Sequence, residues 1–102
     1  MNFELTVDIR PHAVQLTALG ELDIFTARLV GRTLGAALDV GCRDVELDVA
    51  GVTFVDASAL GVLARMYGAL IADDATVAIV APSPSFRRLC EMTALDTVFG
   101  LN

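Results

Sequence analysis

Apolar and polar residues alternate at the start of the chain. Phe3, Leu5, Val7 and Ile9 fall on one side of an extended backbone, and Glu4, Thr6 and Asp8 on the other. This is the period-2 pattern of a strand with one buried face. Arg10-Pro11-His12 makes a turn. Ala13 to Leu19 reads as a second strand, antiparallel to the first because the connection is so short. Gly20 ends it. After Asp23, a helix-capping residue, the period changes. Ala27, Val30, Leu34, Ala37 and Leu38 form a stripe at helical spacing, Arg28, Arg32 and Asp39 face water, and Gly41 marks the stop.

The chain is organised around Leu47 to Leu63, LDVAGVTFVDASALGVL. Val45, Leu47 and Val49 alternate with Glu46 and Asp48 as a third strand, Gly51 breaks the pattern, and Phe54 and Val55 form a short apolar run. Asp56 is a good N-cap for the helix that follows, whose apolar positions are Leu60, Leu63, Ala64, Tyr67 and Ile71. Val62, Met66 and Ala69 lie off that stripe, so the helix is either deeply buried or shared with a partner. Ser58 falls in its first turn, where free N–H groups and the positive end of the helix dipole face outward.

Asp73-Asp74 ends this helix. Thr76 to Ala81 is nearly continuous in apolar and β-branched residues, which predicts a strand covered on both faces. Pro82-Ser83-Pro84 breaks the chain. Ser85 to Thr93 reads as a third helix with Phe86, Leu89 and Cys90 inward and Arg87, Arg88 and Glu91 outward, and Thr97 to Phe99 leaves room for a last edge strand. The predicted order is β-β-α-β-α-β-α. The opening hairpin is antiparallel and the helical crossovers imply parallel pairing, so the class is α/β with a mixed sheet of four to five strands. The alternating strands leave one face partly wet, and the helices mainly cover the other.

Composition narrows the function. A length of 102 residues fits a single domain over 1–102, and 55% hydrophobic residues supply its core. The net charge of −6 argues against nucleic acid as a partner. All 7 basic residues are Arg, so a P-loop lysine and Schiff-base chemistry are excluded by inspection. No run is long and apolar enough for a membrane span, and the N-terminus lacks a signal core, so a cytoplasmic protein without membrane insertion is expected. Cys42 and Cys90 are expected to be free thiols.

FVDASALGVL resembles the phosphorylation-site segment of the STAS domain family, which includes bacterial anti-sigma factor antagonists. The usual form of that segment is apolar-apolar-Asp-Ser-Ser-Gly-Leu-Gly. Gly20-Glu21-Leu22-Asp23 with Thr26-Ala27 resembles the family's other characteristic turn, and the order and spacing of the two blocks fit as well. The resemblance covers essentially the whole chain and implies a STAS-like fold. Two positions depart from the pattern. The first Ser of the usual pair is Ala57, and the following Gly is Ala59, which adds a methyl beside the site.

Read locally, Ser58 only satisfies the first turn of a helix. The resemblance instead places it at the family's phosphoacceptor position, and a phosphate there suits a helix N-terminus. It also implies a partner interface of Glu21, Leu22, Asp23, Asp56, Ala57, Ser58, Ala59, Leu60 and Gly61, with Leu60 in the core and Gly61 permitting close packing of helix on strand. The implied partner is an anti-sigma factor of the ATP-binding serine-kinase type. It would bind the unphosphorylated domain and be released on phosphorylation of Ser58, and a separate phosphatase would reverse the step. ATP and Mg would belong to that kinase, and the domain itself would hold no cofactor, metal or catalytic group.

Two other readings remain. One is a scaffold subunit of a lipid-transport or stress-sensing complex, docking without phosphate chemistry. The other is a small-anion or nucleotide sensor using the same helix N-terminus. His12 has no second His or Cys beside it for a metal site. A Ser58–His12–Asp triad lacks the Gly-x-Ser-x-Gly elbow. Arg87-Arg88 is a solvated helix face or, less simply, a phosphate clamp.

Overall fold

The computed structural model describes residues 2–101. The alternating opening forms β1 (Phe3–Arg10) and β2 (Ala13–Leu22), paired antiparallel across the Pro11-His12 turn. His12 closes that turn at φ 66°. Its carbonyl accepts the Arg43 and Asp44 N–H groups at 2.8 and 3.0 Å, which starts β3 (Asp44–Val55) level with β2. β3 lies parallel to β2 on one side and to β4 (Thr76–Val80) on the other. The sheet is therefore mixed and four-stranded, in the order β1-β2-β3-β4.

The crossover from β2 to β3 is α1 (Ile24–Asp39), and that from β3 to β4 is α2 (Ala57–Ala72). α3 (Pro84–Met92) and the single turn α4 (Leu95–Val98) complete the chain. Val14, Leu16 and Ala18 of β2 and Val45, Leu47 and Val49 of β3 point to one face and are buried against the helices. Ala27, Val30 and Leu34 of α1, Leu60 and Leu63 of α2, Ile79 of β4, and Phe86 and Cys90 of α3 belong to the same core, with Val77 and Leu89 packed at its margin. Gln15, Glu46, Ala50, Thr76 and Ala78 are exposed on the opposite, open face.

Several expectations need correction. Gly51 does not end β3, which runs unbroken to Val55, and β2 passes Gly20 to reach Leu22. β3 accommodates its extra residues in register shifts opposite Thr17/Leu19 and Gly20/Glu21. A Cβ at Gly51 would meet the end of the Leu19 side chain, which is half-exposed and would have to turn aside. Gly20, at φ 100°, lies so close to the Asn2 carbonyl that a Cβ would overlap it. β4 is covered on one face, not two: its apolar run lets Val77 and Ile79 turn inward while Thr76 and Ala78 stay exposed. Thr97 to Phe99 adds no strand. Ala94 turns the chain at φ 60°, and Phe99 is drawn into the core, edge-on to Tyr67 at 5.4 Å.

The apolar stripe of α2 also drifts, so Leu70 is buried and Ile71 is 47% exposed. Its second apolar side is occupied by α1: Met66 lies over Gly31, with its sulfur 3.7 Å from where a Cβ would stand. No helix among the described residues is long and apolar enough to cross a membrane.

Leu63 is fully buried. Leu63→Ala is expected to lower stability by roughly 2–5 kcal/mol, read as a fall in the urea midpoint at constant slope. Gly20→Ala combines a positive φ with a backbone overlap, and is expected to cost about 1–3 kcal/mol by the same measurement.

Candidate functional site

The site is made by two strand-to-helix junctions held side by side. β2 and β3 end in register, Leu22 opposite Val55. The next residue in each strand, Asp23 or Asp56, caps a helix. The Asp56 N–H donates to the Leu22 carbonyl at 3.3 Å and ties one junction to the other. Two helix N-termini and two carboxylates thus share one end of the sheet.

The two caps differ in detail. Asp23 Oδ1 accepts the Phe25 and Thr26 N–H groups, both at 2.9 Å. Thr26 Oγ1 in turn accepts the Asp23 N–H at 2.9 Å, closing a capping box with a threonine at its third position. The Thr26 hydroxyl also lies 3.1 Å from the Glu21 carbonyl. The Thr26 N–H bond is the largest influence on the Asp23 carboxyl and holds it below its usual range, so it stays ionised at lower pH. Asp56 Oδ1 accepts one bond, from the Ala59 N–H at 2.8 Å.

The Asp56 carboxylate thus leaves the Ala57 and Ser58 N–H groups uncapped. Ala57 and Ser58 are both exposed. Ser58 enters none of the side-chain hydrogen bonds among the described residues, so its hydroxyl is free to react or to be read by a partner. Glu21, Asp23, Asp56 and Gly61 are half-buried.

Leu22, Ala59 and Leu60 are 0% exposed and cannot touch a partner; they support the surface from beneath. The Ala59 methyl is therefore packed in the core and does not stand beside the Ser58 hydroxyl. Nor does packing demand glycine at Gly61, where the nearest atom to an added Cβ is the Arg65 guanidinium at 3.6 Å.

Two exposed aromatics were not read as site residues. Phe25, at 69% exposure, holds the second position of α1, as Ser58 does in α2. Its signal in the sequence was that it lies off the Ala27–Val30–Leu34 stripe. Phe54, at 50%, pairs with Glu21 on the open face. Alternation continued from Val45, Leu47 and Val49 already turns it outward, because the two one-residue shifts in β3 cancel; ending the strand at Gly51 hid it.

His12 lies at the far end of β2, 10 residues from Leu22, which at strand rise is about 30 Å away. A triad with Ser58 is excluded. Arg87 Nη1 donates to the Leu101 carbonyl at 2.9 Å, and both Arg87 and Arg88 are exposed on α3. No group of three or more His, Cys, Asp or Glu among the described residues could hold a metal ion. Cys42 and Cys90 are free and buried. Cys42 lies 3.3 Å from the Ala13 carbonyl, and burial above all pushes the Cys90 thiol up to about 11.

Comparison with known proteins gives one consistent family. The anti-sigma-B factor antagonist of Staphylococcus aureus is 28% identical over 102 residues, covering 100% of this chain and 93% of that protein. The crystal structure of an anti-sigma factor antagonist from Mycobacterium paratuberculosis superposes with a TM-score of 0.80 at 26% identity, over 96% of this chain and 83% of that one. The Bacillus cell fate determinant SpoIIAA in its phosphorylated form has the same fold, with a TM-score of 0.71 at 20% identity, over 94% and 86% of the two chains. The family model described as "Mlab, STAS domain" matches residues 5–101, and the chain belongs to the STAS domain family.

Proposed function

We propose that this STAS domain is an anti-sigma factor antagonist whose affinity for its partner is switched at Ser58. Unmodified, the paired-junction surface binds an anti-sigma factor of the ATP-binding serine-kinase type and so frees the sigma factor. The bound kinase then transfers phosphate to Ser58. The Ser58 oxygen forms a bond to the γ-phosphorus of ATP, the bond to the ADP oxygen breaks, and the hydroxyl proton passes to a base of the kinase. A separate phosphatase restores the hydroxyl. The single observation that carries this reading is the exposed, unbonded Ser58 hydroxyl at a helix N-terminus, beside a cap that leaves the first N–H groups open.

The physics of release follows from the neighbours. A phosphoserine brings a charge of roughly −1.5 to −2. The helix N-terminus stabilises that charge locally, so the domain need not unfold. Glu21, Asp23 and Asp56 already make the surface acidic, and the added charge opposes any partner group that had accepted a neutral hydroxyl. The relatives named as antagonists support the role, and the phosphorylated form of SpoIIAA supports the chemistry.

Incubated with a cognate kinase-type anti-sigma factor and Mg-ATP, the protein is expected to gain a single phosphate by intact mass, and Ser58→Ala none. Ser58→Ala should stay folded and bind the unmodified-state partner, while Ser58→Asp binds more weakly. Ala59→Gly is expected to leave the phosphorylation rate unchanged, because that methyl is in the core, and to cost about 1–2 kcal/mol of stability. If Ser58 stays unmodified with every kinase-type partner and Ser58→Asp binds normally, the switch reading fails and a docking scaffold without phosphate chemistry replaces it.

A further inference from the structure

The sheet ends on an open edge. Among the described residues, β1 has β2 on one side and no strand on the other. Its pairing with β2 runs from Phe3 to Arg10 without a register shift, and no proline lies within it. Long edges of this kind are usually blunted by a bulge, a proline, a shortened strand or charged side chains, and of these β1 carries only the charges, Glu4, Asp8 and Arg10. The direction of the free main-chain groups follows from the ladder. The Asn2 carbonyl accepts the Glu21 N–H at 2.8 Å, and bonding residues alternate along an antiparallel pair. Glu4, Thr6 and Asp8 therefore turn their main-chain groups toward β2, and Leu5, Val7 and Ile9 turn theirs outward.

Apolar side chains line the same edge. Val7 is 41% exposed and Ile9 56%, although both project to the helix-covered face. Leu29 of α1 and Val40, its C-cap, are 38% and 72% exposed. They share one stripe of α1, turned away from the Gly31 side that meets α2.

Against a copy of itself, β1 is complementary in one register. With Val7 opposite Val7 in antiparallel pairing, Glu4 faces Arg10, Leu5 faces Ile9 and Thr6 faces Asp8. Sliding by two residues, which keeps the faces, puts Glu4 against Asp8 in one direction and Asp8 against Asp8 in the other. Like charges directly opposite are destabilising. The bridge from Arg10 to Asp8, at 3.1 Å, is exposed and worth little, so Arg10 is free to reach across to Glu4.

We propose that a second copy of this chain docks on β1 in the Val7–Val7 register. The pair would join two four-stranded sheets into one across a two-fold axis, with the α1 stripes facing each other. Leu5, Val7 and Ile9 exchange main-chain bonds with the partner strand, and the Glu4–Arg10 pair, made twice by symmetry, sets the register. Ser58 lies beyond the end of β3 and stays exposed in both copies, so this contact is independent of the switch proposed above.

Sedimentation equilibrium over a range of concentrations at low salt tests it. The wild type is expected to sediment as a dimer. Glu4→Arg and Arg10→Glu each replace the pair by a like-charge pair, and each should raise the dimer dissociation constant by about tenfold or more. Mixing the two single variants should restore association as a heterodimer, since each then supplies the charge the other lacks. Both positions are exposed, so circular dichroism should show the fold unchanged. A wild type that stays monomeric up to about 1 mM overturns the proposal. So does a dimer indifferent to both charge reversals and to Val7→Lys, because its interface would lie elsewhere.

Discussion

The pairing of β2 with β3 carries the rest of the structure. These strands start level, Ala13 opposite Asp44, and finish level, Leu22 opposite Val55, although β2 has 10 residues and β3 has 12. The register shifts in β3 absorb the difference. Without them the longer strand would overshoot, and Asp56 would start its helix out of step with Asp23. Because the ends are flush, the Asp56 N–H reaches the Leu22 carbonyl and the two capped helices begin side by side. Gly51 stands opposite Leu19 at the first shift, inside the strand and not at its end.

What could be read in the sequence was whatever depended on local periodicity. The Ala27, Val30 and Leu34 stripe, the alternation of Val45, Leu47 and Val49, and the capping roles of Asp23 and Asp56 are encoded within a few residues, and each is present in the fold. The errors arose where a distant partner decides. Gly51 breaks the alternation but not the strand, because β2 continues to supply main-chain partners past the bulge. Thr97 to Phe99 suits a strand by propensity, but the rings of Tyr67 and Phe86 offer Phe99 a buried place that a sheet edge does not. The Thr76 to Ala81 run is apolar enough for two covered faces, yet Thr76 and Ala78 stay exposed on the open one.

The site was legible in the same partial way. Ser58, Asp23 and Asp56 stand where a turn-by-turn reading puts them. Which neighbours reach the surface was not legible, because helix spacing near an N-cap depends on the entry angle of the chain. Leu60 is core as its position in the stripe implies, but Leu22 and Ala59 are core as well, and Phe25 and Phe54 are surface. Ala59 shows the consequence most plainly. In the sequence its methyl sits next to the serine; in three dimensions, adjacent helical residues are about 100° apart, and that methyl points into the core.

The packing beneath the site bears on how a modification there could act. Leu22, Ala59 and Leu60 leave no exposed area under the surface residues, and the interior they join is one continuous core. Such an interior resists small displacements. A group added at Ser58 has little local structure to rearrange. The Asp23 capping box and the Asp56 cap already hold both helix starts, and the Asp23 carboxyl, held below its usual range first of all by the Thr26 N–H, keeps its negative charge at one of these termini. On the proposed reading, phosphate at the neighbouring terminus would be stabilised in the same way and would leave the backbone where it is. The switch would then lie wholly in the surface presented to the partner, in charge and shape, and a fold built to stay rigid is what makes such a small change decisive.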